Sequence, residues 1–493
     1  MLTKFLRNAH KILGLPLSLL FFLWFASGIV MIYHSFPRAS QEKRIVNLQP
    51  LPERLPEVSR LSAVLPDSAQ LQSLTMEMYA GHPVWNLRGK NVPDKIDADS
   101  LRPVRPYSED QIGDVVSQWC TAPILRVDTV YKPDQWIPFG RPKNAFPVYK
   151  YIFADPDKHE LYISPKDGKV WQMTNRNERI WAWLGAIPHW VYFTVLRQNQ
   201  PLWINFVKWT SGIGVIMCLI GFVLSFNITW KNRRQGWKVP YRKKWYRWHY
   251  ISGLLFGIFA ATFAFSGMMS LTDIPSWLKK APKEQQNNHR FRMSRGGRSI
   301  DLGGYLLDYR KAIASEDSVK NIEWTSWNGY PYYRLTTTDK TININASDST
   351  AVRPFILTEE MVRREMQKTY GDSIRWNMEL ISKYDEDYFS RKQNPDALPV
   401  YRVIVEDNMH TRHYFNPQTL HQQRIDDDGR TRHLLYRGLH CLDFKFLTDR
   451  PWLWNIVMYT LMLGGTFLSL TGVVLTFKWI IRKIKHNYKQ IKR

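Results

Sequence analysis

Four histidines precede long apolar runs, and an imidazole beside a membrane helix is costly to bury unless it has a partner or a role. They are His10, His189, His249 and His440. Neutral imidazoles that face each other from two helices can fill both axial positions of a haem iron. The first question is therefore which elements hold these histidines and which of them can meet.

The apolar runs that follow the histidines are long enough to cross a bilayer. They cover residues 12–33, 209–230, 250–272 and 451–477 and contain no charged side chain. Each exceeds the roughly 20 residues that a membrane helix needs. The chain of 493 residues is therefore a membrane protein, and a fully soluble enzyme, a disordered chain and a disulfide scaffold are excluded.

Positive charge is concentrated beside the apolar runs. Lys and Arg number 68 against 43 Asp and Glu, which gives a formal charge of +25, yet segments 1–11, 231–247 and 478–493 contain no acidic residue. Cytoplasmic basic residues set the orientation of membrane helices, so we interpret these segments as topology signals and expect no nucleic-acid partner. Both termini and the loop 231–247 are predicted to be cytoplasmic, and segments 36–200 and 274–450 external. The first run is too long for a cleaved signal peptide and is predicted to be a retained anchor.

The two halves of the chain share a series of landmarks at matching spacings. The matching positions are His10 and His249, Gly14 and Gly253, Gly28 and Gly267, His189 and His440, and Gly221 and Gly472. This agreement predicts a tandem duplication of helix, external domain and helix. Because both copies begin and end in the cytoplasm, they have the same orientation and are related by an axis along the membrane normal.

Such an axis brings equivalent residues face to face. His10 then meets His249 at the cytoplasmic side, and His189 meets His440 at the external side of an apolar core about 30 Å thick. A zinc site needs further ligands, and the C-x-x-C-H motif of covalent haem is absent from the sequence. The prediction is two b-type haems with these histidines as axial ligands. The alternative is four interfacial histidines satisfied by lipid headgroups or by backbone groups.

Glycines accompany the histidines on the same helices. Gly14 and Gly253 lie one turn after His10 and His249, and we predict that they leave room for a flat macrocycle. The pairs Ser27-Gly28 and Ser266-Gly267 are interpreted as close helix packing.

His34 breaks the symmetry, because Asp273 occupies the matching position. It lies about 36 Å from His10 along a continuous helix, which places it at the external side. It is the candidate catalytic residue, through contact with the outer haem or with a substrate, and a plain interfacial histidine is the alternative.

The external segments are predicted to be α+β. Residues 74–88 alternate around a Gly-His-Pro turn, which indicates a hairpin. Ser108 and Thr358 precede acidic first turns and predict helix starts. Residues 149–153 and 160–163 are predicted strands, and the Pro- and Arg-rich stretches 37–57 and 275–300 are predicted connectors to the membrane.

These residues carry a resemblance to a known family. Arg7-x-x-His10 with Ser27-Gly28, and Arg437-Gly438-Leu439-His440 with Thr471-Gly472, resemble the PepSY-associated transmembrane family. Residues 162–170 resemble the closing hairpin of a PepSY domain, and residues 414–420 of the second copy lack its glycine. The resemblance implies a bacterial inner-membrane ferric-siderophore reductase with b-type haems in a four-helix region. It also implies a ferric siderophore or other iron chelate as substrate and a separate cytoplasmic or quinol electron donor.

The predicted fold class is a four-helix transmembrane bundle from a tandem duplication, with two large periplasmic PepSY-like α+β modules. The predicted divisions are 1–36, 37–188, 189–230, 231–248, 249–273, 274–439, 440–477 and 478–493. Segments 37–188 and 274–439 are the two modules. The rival functions are a membrane-anchored PepSY module that binds or regulates a peptidase, and a permease for the chelate without redox chemistry.

Overall fold

The computed structural model describes residues 1–104, 108–139, 145–235, 239–281, 300–389 and 397–491. Part of the basic loop, most of the predicted connector 275–300 and the last two residues of the basic tail lie outside these ranges.

Helices make up the membrane part and frame the sheets. They are α1 Leu2–Met31, α2 Gln41–Asn47, α3 Val58–Val64, α4 Glu109–Trp119, α5 Arg176–Leu184, α6 Ala186–Trp190, α7 Thr194–Arg197, α8 Gln200–Asn232, α9 Lys244–Met269, α10 Tyr309–Ala314, α11 Glu359–Tyr370, α12 Asp427–His433, α13 Leu439–Cys441, α14 Lys445–Thr448 and α15 Pro451–Ile491.

The strands all lie between the membrane helices of each half. They are β1 Gln70–Tyr79, β2 His82–Lys90, β3 Lys95–Asp97, β4 Ile124–Val130, β5 Val148–Phe153, β6 Glu160–Ile163, β7 Val170–Thr174, β8 Asn321–Trp327, β9 Tyr330–Thr336, β10 Thr341–Asn345, β11 Trp376–Ile381, β12 Val400–Val405, β13 Arg412–Phe415 and β14 Gln422–Ile425.

Within the described residues, four helices are long and apolar enough to span a membrane: α1, α8, α9 and the first 38 residues of α15. This confirms the predicted number of spans. Around the bundle α1 packs against α8 and α15, and α9 packs against the same two helices, so α1 and α9 lie on opposite sides of the bundle core. We call the end of the bundle that carries the strands the sheet side and the other end the tail side.

Short helices connect the sheets to the bundle on the sheet side. α6 packs against α1, and α13 packs against α9. The backbone reverses direction directly after each of these two helices, at Val191 with φ +54° and at Leu442 with φ +51°. Such left-handed conformations are uncommon for residues other than glycine, and here they recur at equivalent places in the two halves.

One of the sheets combines strands from both halves of the chain. A six-stranded sheet has the order β10-β9-β8-β1-β2-β3, and two four-stranded sheets have the orders β4-β5-β6-β7 and β11-β12-β13-β14. The antiparallel pairing of β1 with β8 places Leu74 opposite Trp324 and Met76 opposite Ile322. The sequence predicted a module in each half but not this shared sheet, because strand pairing over so long a separation leaves no local pattern.

Several local predictions are confirmed. The hairpin at residues 74–88 is β1 and β2, but its turn lies at Ala80 and Gly81, with φ +47° and +80°, and His82 and Pro83 of the predicted turn belong to β2. Ser108 forms a capping box with Gln111, and the Thr358 side chain accepts the Met361 amide. The predicted connector 37–57 is only partly a connector, because it contains α2, whose first turn is capped by Ser40.

The junction of the shared sheet has a large aromatic core. Trp324 and Trp85 are buried, with ring centroids 5.2 Å apart. We expect Trp324→Ala to destabilise the sheet domain by about 3–5 kcal/mol, since it removes a large buried side chain. Thermal denaturation of the purified chain measures this, with Trp277→Ala as the matched control because Trp277 is 80% exposed. Equal stability of both variants would contradict a single core across the junction.

Candidate functional site

The tail-side pair consists of His10 on α1 and His249 on α9. Their ring centroids are 6.1 Å apart and the ring planes are inclined by 41°. The two helices lie on opposite sides of the bundle core, so the rings face each other across it.

The sheet-side pair consists of His189 on α6 and His440 on α13. Their ring centroids are 6.0 Å apart and the planes are inclined by 57°. The structure therefore brings together the histidines that symmetry pairs, at both ends of the bundle.

The separation in each pair suits two imidazoles that share one metal. A bond between a metal and an imidazole nitrogen is about 2 Å long. The ring centre lies about 1 Å further away, so two axial imidazoles of one haem iron have centroids about 6 Å apart. Packing of the two rings against each other would not by itself require a centroid separation of about 6 Å.

Neighbouring groups hold the Nδ1 atoms of the tail-side pair. His10 Nδ1 donates to the Met217 carbonyl at 3.0 Å. His249 Nδ1 lies 2.9 Å from Thr471 Oγ1, and the Thr471 hydroxyl itself donates to the Leu468 carbonyl at 2.6 Å. Because that hydroxyl hydrogen is already used, the Thr471 oxygen accepts from His249.

The sheet-side pair is held in the same way. His189 Nδ1 donates to the Trp24 carbonyl at 3.0 Å. His440 Nδ1 lies 3.1 Å from Ser266 Oγ and 3.3 Å from the Phe263 carbonyl. Ser266 also donates to that carbonyl, at 3.1 Å, so its oxygen is free to accept from the imidazole.

These contacts fix the tautomer of all four rings. A carbonyl oxygen only accepts, so the proton lies on Nδ1 and Nε2 keeps its lone pair. Within the described part of the chain, none of the four Nε2 atoms has a hydrogen-bond partner. Burial lowers the pKa of both His189 and His440, the latter to about 4, which keeps these rings neutral. A held Nδ1–H and a bare Nε2 are the state of a metal-ligating histidine.

Each imidazole also lies against a glycine of a neighbouring helix. A Cβ atom added to each glycine would lie close to the imidazole Cε1. The separations are 2.5 Å for Gly221 and His10, 3.6 Å for Gly472 and His249, 3.2 Å for Gly28 and His189, and 3.4 Å for Gly267 and His440. The sequence interpretation of Gly28 and Gly267 as helix-packing residues missed this role. The signal was available, because all four glycines are landmarks of the predicted repeat.

Gly14 and Gly253 have other neighbours. A Cβ at Gly14 would meet Met217 Sδ at 4.0 Å, and one at Gly253 would meet Ser225 Oγ at 3.6 Å. Both are ordinary van der Waals distances, so space remains beside each glycine. Their role in leaving room for a macrocycle stays a prediction.

A closely packed apolar core separates the two pairs. Phe21 and Phe25 of α1 lie against Gly214 of α8 and Gly465 of α15. Gly28, which lies against His189, follows His10 by about 27 Å of helical rise. The bundle therefore holds two imidazole pairs near its two ends with phenyl rings between them.

His34 lies on the sheet side, just beyond the end of α1. Its ring stacks on Trp181 of α5 with centroids 4.2 Å apart and planes inclined by 5°. It therefore has an aromatic partner outside the sheet-side pair, and its catalytic role stays a prediction.

The contact between Thr471 Oγ1 and His249 Nδ1 can be tested by substitution of Thr471. If the tail-side pair holds a haem, Thr471→Val is expected to weaken its binding by about 10- to 100-fold, because His249 Nδ1 loses its acceptor. Titration of the cofactor-free chain with haem measures this affinity. Thr471→Ser keeps the acceptor and is the control, and equal affinity of the two variants would contradict the role of Thr471.

Comparison with known proteins gives one finding that covers nearly the whole chain. The family model described as the PepSY-associated TM region matches residues 7–482. No curated protein matches the chain in sequence. The matched range includes both histidine pairs, the three sheets of the described residues, all of α8 and α9, and most of α1 and α15.

Proposed function

Because the chain belongs to the family of PepSY-associated TM regions, we propose that it is a di-haem electron-transfer protein. In this proposal it reduces a ferric chelate, such as a ferric siderophore, and so releases iron for uptake. The enzyme class is therefore a haem-b-dependent oxidoreductase. The observation that carries the proposal is the pair of matched sites, each with two imidazoles about 6 Å apart.

The four histidines would hold two b-type haems, one at each end of the bundle. Held by two imidazoles each, these groups would supply one-electron transfer. The Nδ1 contacts orient each imidazole, and the glycines opposite the rings leave space for them. Phe21 and Phe25 fill the apolar core between the sites and pack against Gly214 and Gly465.

The sidedness of the proposal rests on charge. The basic segments 1–11, 231–247 and 478–493 belong to the tail side, which we assign to the cytoplasm. The sheet side is then periplasmic in a bacterial inner membrane. The duplicated arrangement of the chain fits this assignment, because the matching helices α1 and α9 both begin on the tail side.

The reaction balances as a one-electron transfer. One electron enters on the tail side from a quinol or a cytoplasmic donor, and one electron leaves on the sheet side to the Fe(III) of the chelate. The product is Fe(II), which the same chelate holds less tightly. No proton-transfer base is needed for this transfer. His34, which stacks on Trp181 of α5, lies on the sheet side, where the electron would leave.

Vesicles that contain the purified chain test the proposal. Ferric citrate and an Fe(II)-specific indicator are trapped inside, and dithionite is added outside together with an impermeable quencher of leaked iron. We expect rapid formation of Fe(II) with the haem-loaded chain and only the background rate with the double variant His10→Ala/His249→Ala. Equal rates would contradict electron transfer. A colourless protein from haem-replete cells would favour the anchored PepSY module instead.

A further inference from the structure

A cavity of about 670 Å³ lies on one face of the shared six-stranded sheet. Its floor includes Ser73, Thr75 and Glu77 of β1 together with Asn321 and Glu323 of β8. Because side chains alternate along a strand, these residues share one face across the junction of the two halves. The opposite face of the same strands carries the apolar core.

Protein elements cover this polar face, although a polar sheet face normally lies in solvent. The walls are α2, α4 and the turn between β6 and β7. The volume lies within the range of about 300–1,000 Å³ that small-molecule sites occupy. The cavity therefore has the size and the polar floor of a ligand site, and it is open to solvent on one side.

The two carboxylates on the floor are already neutralised. Glu77 is only 4% exposed, forms an ion pair with Arg44 and accepts from the Asn321 amide at 3.2 Å. Glu323 forms an ion pair with Arg334 at 3.0 Å. Neither carboxylate is left to attract a cation into the cavity.

Positive charge remains at the rim. Arg88 of β2 and Lys169 of the β6–β7 turn are exposed cavity-lining residues, and neither has a carboxylate partner within the described ranges. Lys95 and Lys166 also line the cavity, and Lys95 Nζ donates to the Asp167 carbonyl at 2.8 Å. The lining carboxylates Asp94 and Asp167 offset two of these four basic side chains, so the rim keeps a net positive charge. The rim therefore favours an anionic ligand.

A chain of residue contacts links the cavity to the sheet-side histidine pair. Lys43 of α2, next to the wall residue Arg44, pairs with Glu178 of α5 at 2.6 Å. From Glu178, α5 and α6 lead to His189 within about 17 Å of helical rise. A ligand in the cavity would lie on the side of the bundle where the proposed electron leaves.

We propose that this cavity binds the ferric chelate and selects anionic chelates, in which carboxylate or catecholate oxygens hold the iron. Cationic hydroxamate chelates are selected against. This inference rests on the proposed function for the identity of the metal, but the binding itself needs no redox step.

Equilibrium dialysis of the full-length detergent-solubilised chain tests the binding directly. The probes are gallium(III) citrate, which is anionic and redox-inert, and gallium(III) desferrioxamine B, which is cationic. We expect the citrate complex to bind more tightly, and Arg88→Glu and Lys169→Glu each to weaken it about tenfold through reversal of a nearby charge. Arg60→Glu, an exposed reversal on α3 outside the cavity, is the matched control and leaves binding unchanged.

The outcomes separate this inference from the function on which it rests. Lack of binding by the unaltered chain, equal binding of both probes, or unchanged binding by both rim variants would each overturn the cavity assignment. Thermal denaturation checks that the variants are folded, and their exposed positions make this the expected result. Since gallium is not reduced, a chain that binds gallium citrate but lacks haem would support the cavity and contradict the electron-transfer function.

Discussion

We expect substitution of one tail-side histidine to remove one of the two proposed haems and to leave the other. For His10→Ala and His249→Ala we expect the haem content per chain to fall from about two to about one, because a bis-imidazole haem loses half of its protein ligation. The remaining haem belongs to His189 and His440, about 27 Å away along the bundle, and keeps its reduced spectrum. Haem extraction and protein quantitation of the purified variants measure the ratio.

The controls for this prediction are histidines outside both pairs. His82→Ala on β2 and His486→Ala near the end of α15 replace exposed side chains and leave the haem content unchanged. His189→Ala removes the sheet-side haem instead, so a double variant with His10→Ala contains none. Full haem content in every single histidine variant, with unchanged thermal stability, would show that the pairs do not ligate iron.

A methyl group opposite an imidazole has a similarly large effect. We expect Gly221→Ala to lower haem occupancy at the tail-side pair at least tenfold, because its Cβ would lie 2.5 Å from His10 Cε1 and the ring must leave its position. Gly28→Ala acts at the other end, where its Cβ would lie 3.2 Å from His189 Cε1 and would clash with Met462 Cε. Haem titration of each variant shows which site is weakened.

The matched control is a helical glycine with free space around it. Gly113 of α4 has no atom within 4 Å of an added Cβ, so Gly113→Ala changes no haem affinity and stabilises its helix by up to about 1 kcal/mol. If each of the two variants, Gly221→Ala and Gly28→Ala, lowered the haem affinity of both histidine pairs equally, the cause would be a general loss of packing rather than displacement of one imidazole.

The membrane part of this fold could be predicted because its rules are local. A run without charges that is longer than a bilayer is thick specifies a membrane-spanning helix. The pairing of His10 with His249 followed from symmetry alone, since equivalent residues face each other across a two-fold axis. The caps at Ser108 and Thr358 followed from side chains that accept amides of the first helical turn.

The parts that could not be predicted depend on distant contacts. The pairing of β1 with β8 joins strands from different halves, and no turn or spacing in the sequence specifies it. The same holds for Thr471, which meets His249 only because α9 and α15 pack together. Gly221 and Gly472 stood out as repeat landmarks, but their contact with imidazole rings required the crossing geometry of the helices.

One measurement tests the central claim most directly: the low-temperature electron paramagnetic resonance and optical spectra of the purified full-length chain, with haem and protein quantified in the same sample. The account predicts about two haems per chain, both low-spin with two imidazole ligands, and a reduced spectrum after addition of dithionite. A chain purified from haem-replete cells without haem, or with a high-spin iron that has lost one axial imidazole, would contradict it.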